Sequence, residues 1–346
     1  MTETNISNST KNEKNVGITS KIIHQVKETA YKDAYTAREL FKMNIHEVPF
    51  LLDGLIPQTG LSCLTGSSDC NKSTFLRQLS LEIALGSENH LGFKLNTRHK
   101  KVIYISTEDD FAAISALIKK QYSKDRPEEI LDNIYFVFST ESHIKRLGDI
   151  LKSKKVDLVV LDTWTDLFSG DLNQSNKVRG SFEAYNELSR KYGCAFIFVH
   201  HQGKRTEDNS PSKNNLLGSQ GIEAKMRAVV ELRRDIGSRR LLTITKGNYS
   251  KDSFKGKSFV LELQEDTMLF QRKDETVNFS VGYGFEGLKV KFDKKAIIKK
   301  LLQLKSDGLS FEKAHKKITE NFENAPGLTT LKTWFKDQSD SQTPSK

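Results

Sequence analysis

The segment from Gly66 to Ser73 constrains this chain more than any other feature of its sequence. It reads Gly-Ser-Ser-Asp-Cys-Asn-Lys-Ser. This matches G-x-x-x-x-G-K-[ST] at every defined position except one, where Asn71 replaces the second glycine. A strand-like stretch (Leu61–Thr65) precedes it and a helix-like stretch (Ser73–Leu85) follows. Because successive backbone N–H groups that lead into a helix form a cradle for anions, the segment predicts a phosphate-binding P-loop.

Each position of a P-loop has a defined task. Lys72 is expected to reach the β- and γ-phosphates of ATP, and Ser73 to ligate Mg²⁺. The predicted nucleotide-binding residues are Gly66, Ser67, Ser68, Asp69, Cys70, Asn71, Lys72, Ser73 and Thr74. A left-handed backbone at Asn71 would cost an ordinary residue about 1 to 2 kcal/mol, although Asn tolerates it best after Gly. The alternative is a chance match, or a loop that no longer binds ATP.

The middle of the chain alternates strand-like and helix-like stretches. The predicted strands are Leu61–Thr65, Lys101–Ser106, Ile134–Phe138, Leu158–Asp162, Ala195–His200, Ala228–Leu232 and Leu241–Lys246. The predicted helices between them are Ser73–Leu85, Phe111–Gln121, His143–Lys152 and Ser181–Tyr192. Continuous apolar strands alternating with helices indicate an α/β fold, with a mainly parallel sheet covered by helices on both faces. Asp162, at the end of one strand, is the predicted second Mg²⁺ ligand, the Walker B acid.

Four passages together resemble the RecA-like ATPases of the RepA-type plasmid hexameric helicases and, more distantly, DnaB, RadA and KaiC. The passages are Leu52–Pro57, Val102–Asp109, Leu158–Thr163 and Phe196–Lys204. In RecA-type enzymes the water-activating glutamate ends a separate strand, so the resemblance makes Glu108 the expected general base. Asp109 and Asp110 can instead be N-caps of the next helix. The resemblance also implies a γ-phosphate-sensing histidine at a strand end, which is His201 or its neighbour His200.

The resemblance further implies two loops that face a central pore and contact single-stranded DNA. They would span residues 168–179 and 202–217, and the second contains Lys204, Arg205 and Lys213. Basic, Gly- and Asn-rich loops suit contacts to phosphates without base readout. The alternative is that both are ordinary solvated surface loops.

Hexameric motors complete each ATP site with a cation from the neighbouring subunit. The chain departs from the family here, because Leu217-Gly218-Ser219 stands where Arg-Gly-Ser is often found, and Lys246-Gly247-Asn248 replaces Lys-x-Arg. Lys246 is the predicted cation, with Arg227 and Lys251 as weaker candidates. The departure puts fast hydrolysis in doubt but leaves nucleotide binding in place.

The segment from Lys291 to Lys346 contains 12 Lys and 7 acidic residues, so it carries half of the net charge of +10. Its pattern predicts three helices, Lys294–Gln303, Ser310–Asn321 and Leu328–Phe335. They resemble a winged-helix or helix-turn-helix module with Thr329, Thr330, Lys332 and Thr333 on the DNA-facing side and Leu331, Trp334 and Phe335 in the core. The alternative is a small helical cap that packs on the ATPase or on another subunit.

The predicted organisation is a disordered tail (1–20), a helical segment (21–47), the ATPase domain (48–275), a linker (276–290), the helix-turn-helix unit (291–337) and a second tail (338–346). A helical pattern extends over Ser20–Met43. No signal peptide or membrane-length apolar run is present in the sequence. Cys63, Cys70 and Cys194 lack metal-ligand spacing. We therefore expect a cytoplasmic protein with reduced thiols and no membrane partner.

These features predict an ATP-hydrolysing DNA translocase or helicase that forms homo-oligomers, with the hexamer as the candidate assembly, in replication of a plasmid or mobile element. The excess positive charge favours a polyanionic partner, although it can also be a solvated surface. An ATP-switched DNA-binding regulator is the alternative, and a KaiC-like signalling ATPase that does not bind DNA is a third hypothesis.

Overall fold

The computed structural model describes residues 32, 34–172, 174–202, 211–213, 219–235, 237–280, 283–285, 294–321, 331–332 and 334–335. Contacts within the chain divide it into a first unit, Met1–Thr276, and a second unit, Val277–Lys346. Both predicted tails lie outside the described residues.

The first unit is built on a central β-sheet. The strands among the described residues are β1 (Phe50–Leu52), β2 (Ile56–Pro57), β3 (Gly60–Gly66), β4 (Asn89–His90), β5 (Phe93–Lys94), β6 (Val102–Ser106), β7 (Ile134–Val137), β8 (Leu158–Asp162), β9 (Ala195–His201), β10 (Ala228–Arg234), β11 (Arg239–Gly247), β12 (Lys257–Gln264), β13 (Leu269–Ser280) and β14 (Tyr283–Phe285). Within the first unit the order is β13-β12-β11-β10-β3-β9-β8-β6-β7. The β1-β2 and β4-β5 pairs are separate small sheets.

The six strands from β10 to β7 run parallel, and β11 and β12 follow antiparallel. The strand before the P-loop, β3, lies between β9 and β10. In register, Gly66 lies opposite His201, and Ser106 lies opposite Asp162. Because parallel strands end at the same edge, the predicted site residues come together there.

Helices cover both faces of the sheet, as the sequence predicts. The described helices of the chain are α1 (Ala37–Lys42), α2 (Lys72–Leu85), α3 (Phe111–Gln121), α4 (His143–Ser153), α5 (Ser175–Ser181), α6 (Glu183–Tyr192), α7 (Ser219–Lys225), α8 (Lys294–Ser306) and α9 (Phe311–Asn321), of which α8 and α9 belong to the second unit. One core joins α2 to Tyr104 and Val160 of the sheet. The other joins α4, α5 and α6 to Ile103 and Leu161. Neighbouring strand residues thus enter opposite cores, which explains the continuous apolar runs.

Two predicted helices differ from those observed. Of the helix predicted over Ser20–Met43, the described residues show α1 over Ala37–Lys42, which begins where Thr36 and Glu39 form a reciprocal capping box; residues before Lys32 lie outside the described part. The helix predicted over Ser181–Tyr192 is observed as α6 (Glu183–Tyr192), and Phe182 separates it from α5, which includes residues 175–179 of a predicted loop. Phe182 is fully buried against Trp164 and Phe198, so its packing determines this junction.

The second unit contains α8 and α9, with helical residues also at 331–332 and 334–335. Ser310 caps α9 by accepting a hydrogen bond from the N–H of Lys313. The core consists of Ile297, Leu301, Leu304, Ala314, Ile318 and Leu331, with Trp334 and Phe335 packed against it. Strand β13 continues to Ser280, and Phe279 pairs with Phe285 of β14, so part of the expected 276–290 linker is strand.

Candidate nucleotide-binding site

The loop between β3 and α2 has the backbone of an anion cradle. Asp69 and Asn71 both adopt positive φ, and Asn71 is left-handed at φ 69° and ψ 38°. The predicted left-handed conformation at Asn71 is therefore confirmed. A Cβ at Gly66 would lie 2.1 Å from the carbonyl oxygen of Leu232. Glycine is consequently required at Gly66 by the close approach of β10.

Lys72 starts α2 and is only 5% exposed. Its Nζ donates to the carbonyl oxygens of Gly66 (3.1 Å) and Ser67 (2.7 Å), and lies 3.7 Å from Cys70 Sγ. The ammonium group is thus held inside the loop by neutral acceptors. A buried cation with neutral partners fits the negative charge of a nucleotide phosphate.

Asp162 ends β8 and is buried. Its Oδ2 accepts a hydrogen bond of 2.6 Å from the hydroxyl of Tyr104, whereas Oδ1 is buried without a hydrogen-bond partner. Burial raises the pKa of Asp162 above its usual value, against the opposing effect of the hydrogen bond from Tyr104. A buried carboxylate oxygen without a donor, beside Ser73, fits a Mg²⁺ site.

Glu108 follows β6 and lines the same pocket, with 53% of its side chain exposed. The preceding residue ties this loop to the end of β8: the Thr107 hydroxyl donates to Asp166 Oδ2 (2.6 Å) and accepts from the N–H of Thr163 (2.8 Å). Asp110 caps α3, as the alternative interpretation of that residue expects. A half-exposed carboxylate on a fixed loop is suited to accept a proton from water.

The two adjacent histidines occupy different environments. His201 Nδ1 lies 3.5 Å from Lys72 Nζ, and its Nε2 lies 3.4 Å from Glu108 Oε1. His200 is 1% exposed and packs edge-on to Trp164, away from the residues that line the pocket. Of the two sensor candidates, the geometry therefore supports His201.

These residues enclose a pocket of about 430 Å³ at the carboxyl end of the parallel strands. Its lining contains Ser68, Asp69, Asn71, Lys72, Ser73, Thr74, Glu108, Asp162, Val199 and His201. The donor set and the left-handed loop fit ATP with Mg²⁺. In such a complex Lys72 and Ser73 would hold the phosphates and the metal ion, and the bound Mg²⁺ would neutralise charge on the β- and γ-phosphates.

Other predicted residues lie elsewhere or cannot be placed. Lys246 pairs with Val229 near the opposite end of the sheet, and its Nζ contacts the Glu223 carboxylate (2.9 Å) and carbonyl oxygen (2.6 Å). Lys213 also contacts Glu223, at 3.3 Å. Lys332 pairs with Glu312 at an exposed position. Lys204, Arg205, Leu217, Thr329, Thr330 and Thr333 lie outside the described residues.

Three residues near the site have no motif in the sequence. Tyr104 binds Asp162 from the neighbouring strand. Arg77 of α2, 4% exposed, contacts Asp109 beside Glu108 at 3.5 Å. Arg240 reaches Asn71 from β11. The period-two alternation of β6 could have placed Tyr104 on the same face as Ser106, but no local pattern predicts its partner.

A P-loop between strand and helix, a strand-end Mg²⁺ ligand and a mainly parallel sheet define the class of P-loop ATPases. The AAA domain family matches residues 25–207, more than half of the 346-residue chain, and the chain belongs to that family. It is an ATP-binding P-loop ATPase. A comparison with curated proteins gives no significant match. None of the helices in the described part of the chain is both long and apolar enough to cross a membrane.

Proposed function

We propose that this ATPase is a DNA translocase or helicase of the RecA-like hexameric type, acting in replication of a plasmid or other mobile element in the cytoplasm. The observation that carries the proposal is the position of His201. It contacts both Lys72 and Glu108, and the segment with Lys204, Arg205 and Lys213 follows it in the sequence. A side chain so placed can transmit the state of the phosphate site to a DNA-contacting loop.

The chemistry follows from the residues of the pocket. Lys72 and Ser73 would hold the phosphates and the metal ion, and Asp162 would offer a carboxylate oxygen to the same ion. Glu108 orients a water molecule and accepts its proton, which is general-base catalysis. His201 lies between Lys72 and Glu108, so loss of the γ-phosphate changes the charges that surround its ring. The His201 ring then changes its contacts with Lys72 and Glu108.

The resemblance to RepA-type helicases and the charge distribution support DNA as the partner. The chain has a net charge of +10, and half of it is contributed after residue 290. Exposed Lys332 of the second unit, paired with Glu312 at 3.3 Å, can exchange this surface ion pair for a phosphate contact at little cost. We propose a homo-oligomeric ring, with Lys246 completing the ATP site of a neighbouring subunit.

The test is the Mg²⁺-dependent ATPase rate with and without single-stranded DNA, for the wild type, Lys72→Ala and Lys120→Ala. Lys120 is an exposed lysine of α3 and serves as the matched control. We expect DNA to stimulate the wild type and Lys120→Ala, and Lys72→Ala to be inactive. Strand displacement from a forked duplex should require the same lysine. If DNA neither accelerates hydrolysis nor is unwound, the motor proposal is wrong.

A specific observation favours a second candidate, an ATP-switched DNA-binding regulator. Lys246, the proposed trans-acting cation, is bound to Glu223 through both its carboxylate and its carbonyl oxygen. A cation held in this way would contribute little to hydrolysis. Footprinting on defined DNA should then show one ATP-dependent protected site, whereas a translocase gives diffuse protection. Absence of any DNA binding at low salt would favour the signalling ATPase instead.

A further inference from the structure

Arg240 makes a contact to the P-loop that the ATPase motifs do not contain. It lies on β11, far from the loop in sequence, and is 5% exposed. Its Nη2 donates a hydrogen bond of 2.7 Å to Oδ1 of Asn71. Asn71 is the position at which the loop departs from the P-loop pattern. Arg240 thus contacts the one residue at which this loop differs from the P-loop pattern.

The guanidinium group of Arg240 is fixed by its own hairpin. Nη1 donates to the carbonyl oxygens of Gly237 (3.1 Å) and Arg239 (2.9 Å). Burial, together with the nearby charge of Arg234, lowers the pKa of Arg240 from its usual value. With one nitrogen held on the hairpin, the other is directed at Asn71. Little rotamer entropy is lost when this preorganised donor binds.

Asn71 occupies the N-cap position of α2. The side chain of an N-cap asparagine usually accepts a hydrogen bond from an N–H of the first helical turn. Here no such bond is formed. The amide oxygen is bound by Arg240 instead, so the N–H groups of the first turn stay available. Those N–H groups are the ones that a P-loop presents to phosphate.

We propose that Arg240 is a positioning residue for nucleotide binding. By holding Oδ1 of Asn71, it stabilises the left-handed backbone and prevents the side chain from capping α2 in competition with the phosphates of ATP. Asparagine with Arg240 thereby does what glycine does alone in the usual loop. The proposal rests on the P-loop ATPase assignment, but it requires neither DNA binding nor rapid turnover.

A double-mutant cycle tests this coupling, with a fluorescent ATP analogue and Mg²⁺ as the probe. The full-length variants are R240Q, N71G and R240Q/N71G, and equilibrium Kd is measured for each. From the typical contribution of a hydrogen bond that involves a charged group, we expect R240Q to weaken binding of the ATP analogue about tenfold in the Asn71 chain. In the N71G background the same substitution should change Kd less than about twofold. R240K, which keeps the charge and a donor, should lie between wild type and R240Q.

Arg234→Gln is the matched control, because Arg234 is the cross-strand neighbour of Arg240 and its substitution also removes one positive charge. It should leave Kd close to its wild-type value. Melting temperatures without nucleotide establish that each variant folds, and if R240Q does not fold, R240K replaces it in the cycle. If R240Q weakens nucleotide binding equally in the Asn71 and N71G backgrounds, Arg240 only supports the hairpin. If R240Q does not weaken binding in the Asn71 chain, Arg240 has no role in nucleotide binding. The DNA motor proposal can fail while this coupling is still observed.

Discussion

Burial of Asp162 favours its neutral form, whereas binding of Mg²⁺ requires its charged form. Its carboxylate is buried, Oδ1 is without a hydrogen-bond partner, and burial raises the pKa. A raised folded-state pKa means that the native protein binds the proton more tightly than the unfolded chain, so this residue costs stability as the pH rises through that pKa. The charged form is nevertheless the one that binds Mg²⁺.

We therefore predict opposite effects of Asp162→Asn on stability and on binding. Without nucleotide and metal at neutral pH, the variant should melt at a higher temperature than the wild type, because it carries no buried charge. The gain should disappear at pH values below the unfolded pKa of aspartate. In the presence of Mg²⁺, its affinity for ATP should fall by at least about tenfold. Thermal melts across pH and nucleotide titrations check both; a variant less stable at neutral pH contradicts the argument.

Glu108 should separate binding from hydrolysis. Glu108→Gln keeps the size of the side chain and removes the base, so we expect the ATPase rate to fall by about 10² to 10⁴-fold. The Kd for ATP should change little, because Lys72 and Ser73 make the phosphate contacts. Asp110→Asn, which retains an N-cap for α3, is the control and should keep its hydrolysis rate. Equal losses in both variants would argue against Glu108 as the base.

The site residues found from the sequence share a physical property. Asp162 and His201 end buried apolar strands, and Glu108 and Lys72 lie in the segments that come after such strands. Parallel strands bring their carboxyl ends to one edge. The apolar periodicity of a strand and the position of a residue at its end are local features that can be recognised in the sequence. The partners of these residues come from remote segments, as with Arg240 and Asn71, which are 169 positions apart. A single sequence contains no signal for such contacts.

At the scale of elements, the seven predicted strands agree with β3 and β6 to β11 to within about two residues at each end, and the predicted helices agree with α2, α3 and α4 to within one. The errors arise where a side chain overrides periodicity. Thr36 and Glu39 fix the start of α1 at Ala37 by accepting hydrogen bonds from each other's backbone N–H groups. Helix α6 begins at Glu183, two residues later than predicted, because Phe182 is buried among aromatic rings. Capping and core packing thus determine boundaries that hydrophobic spacing leaves open.

The packing of β4 on α2 predicts an acid-sensitive element. His90 is 1% exposed and lies edge-on to Phe75, with 5.3 Å between ring centroids. Burial lowers the pKa of His90 from 6.5 to about 3. The unfolded chain therefore takes up a proton below pH 6.5 that the native protein does not, and stability falls with pH in that range. From pH 7.5 to 5.5 we expect a loss of roughly 1.4 kcal/mol from this residue.

His90→Leu should remove that loss. Urea unfolding at pH 7.5 and pH 5.5 gives the change in the free energy of unfolding with pH for the wild type and for the variant. Comparing the two changes cancels the effect of the substitution on core packing, because that effect is the same at both pH values. If His90→Leu keeps the pH dependence of the wild type, the burial of His90 is not the cause.

At the scale of the whole molecule, the sequence predicted the α/β class and the helices on both faces, because alternation and continuous apolar strands extend over the whole first unit. Assembly is a different matter. Whether Lys246 serves a neighbouring site depends on a surface that another copy would cover, and no pattern within one chain records such a contact. Its position near the opposite end of the sheet from the P-loop makes a role in its own site geometrically remote.

The trans role of Lys246 can be tested by mixing subunits. Lys72→Ala removes the P-loop lysine but keeps Lys246, and Lys246→Ala does the reverse. In a mixed ring, the P-loop of a Lys246→Ala subunit can meet the intact Lys246 of a Lys72→Ala neighbour, so a complete site forms. Each variant alone should have little ATPase activity, and the mixture should recover a substantial fraction. If Lys246 acts only by binding Glu223 within its own subunit, mixing restores nothing, and Glu223→Gln should then impair hydrolysis to the same extent as Lys246→Ala.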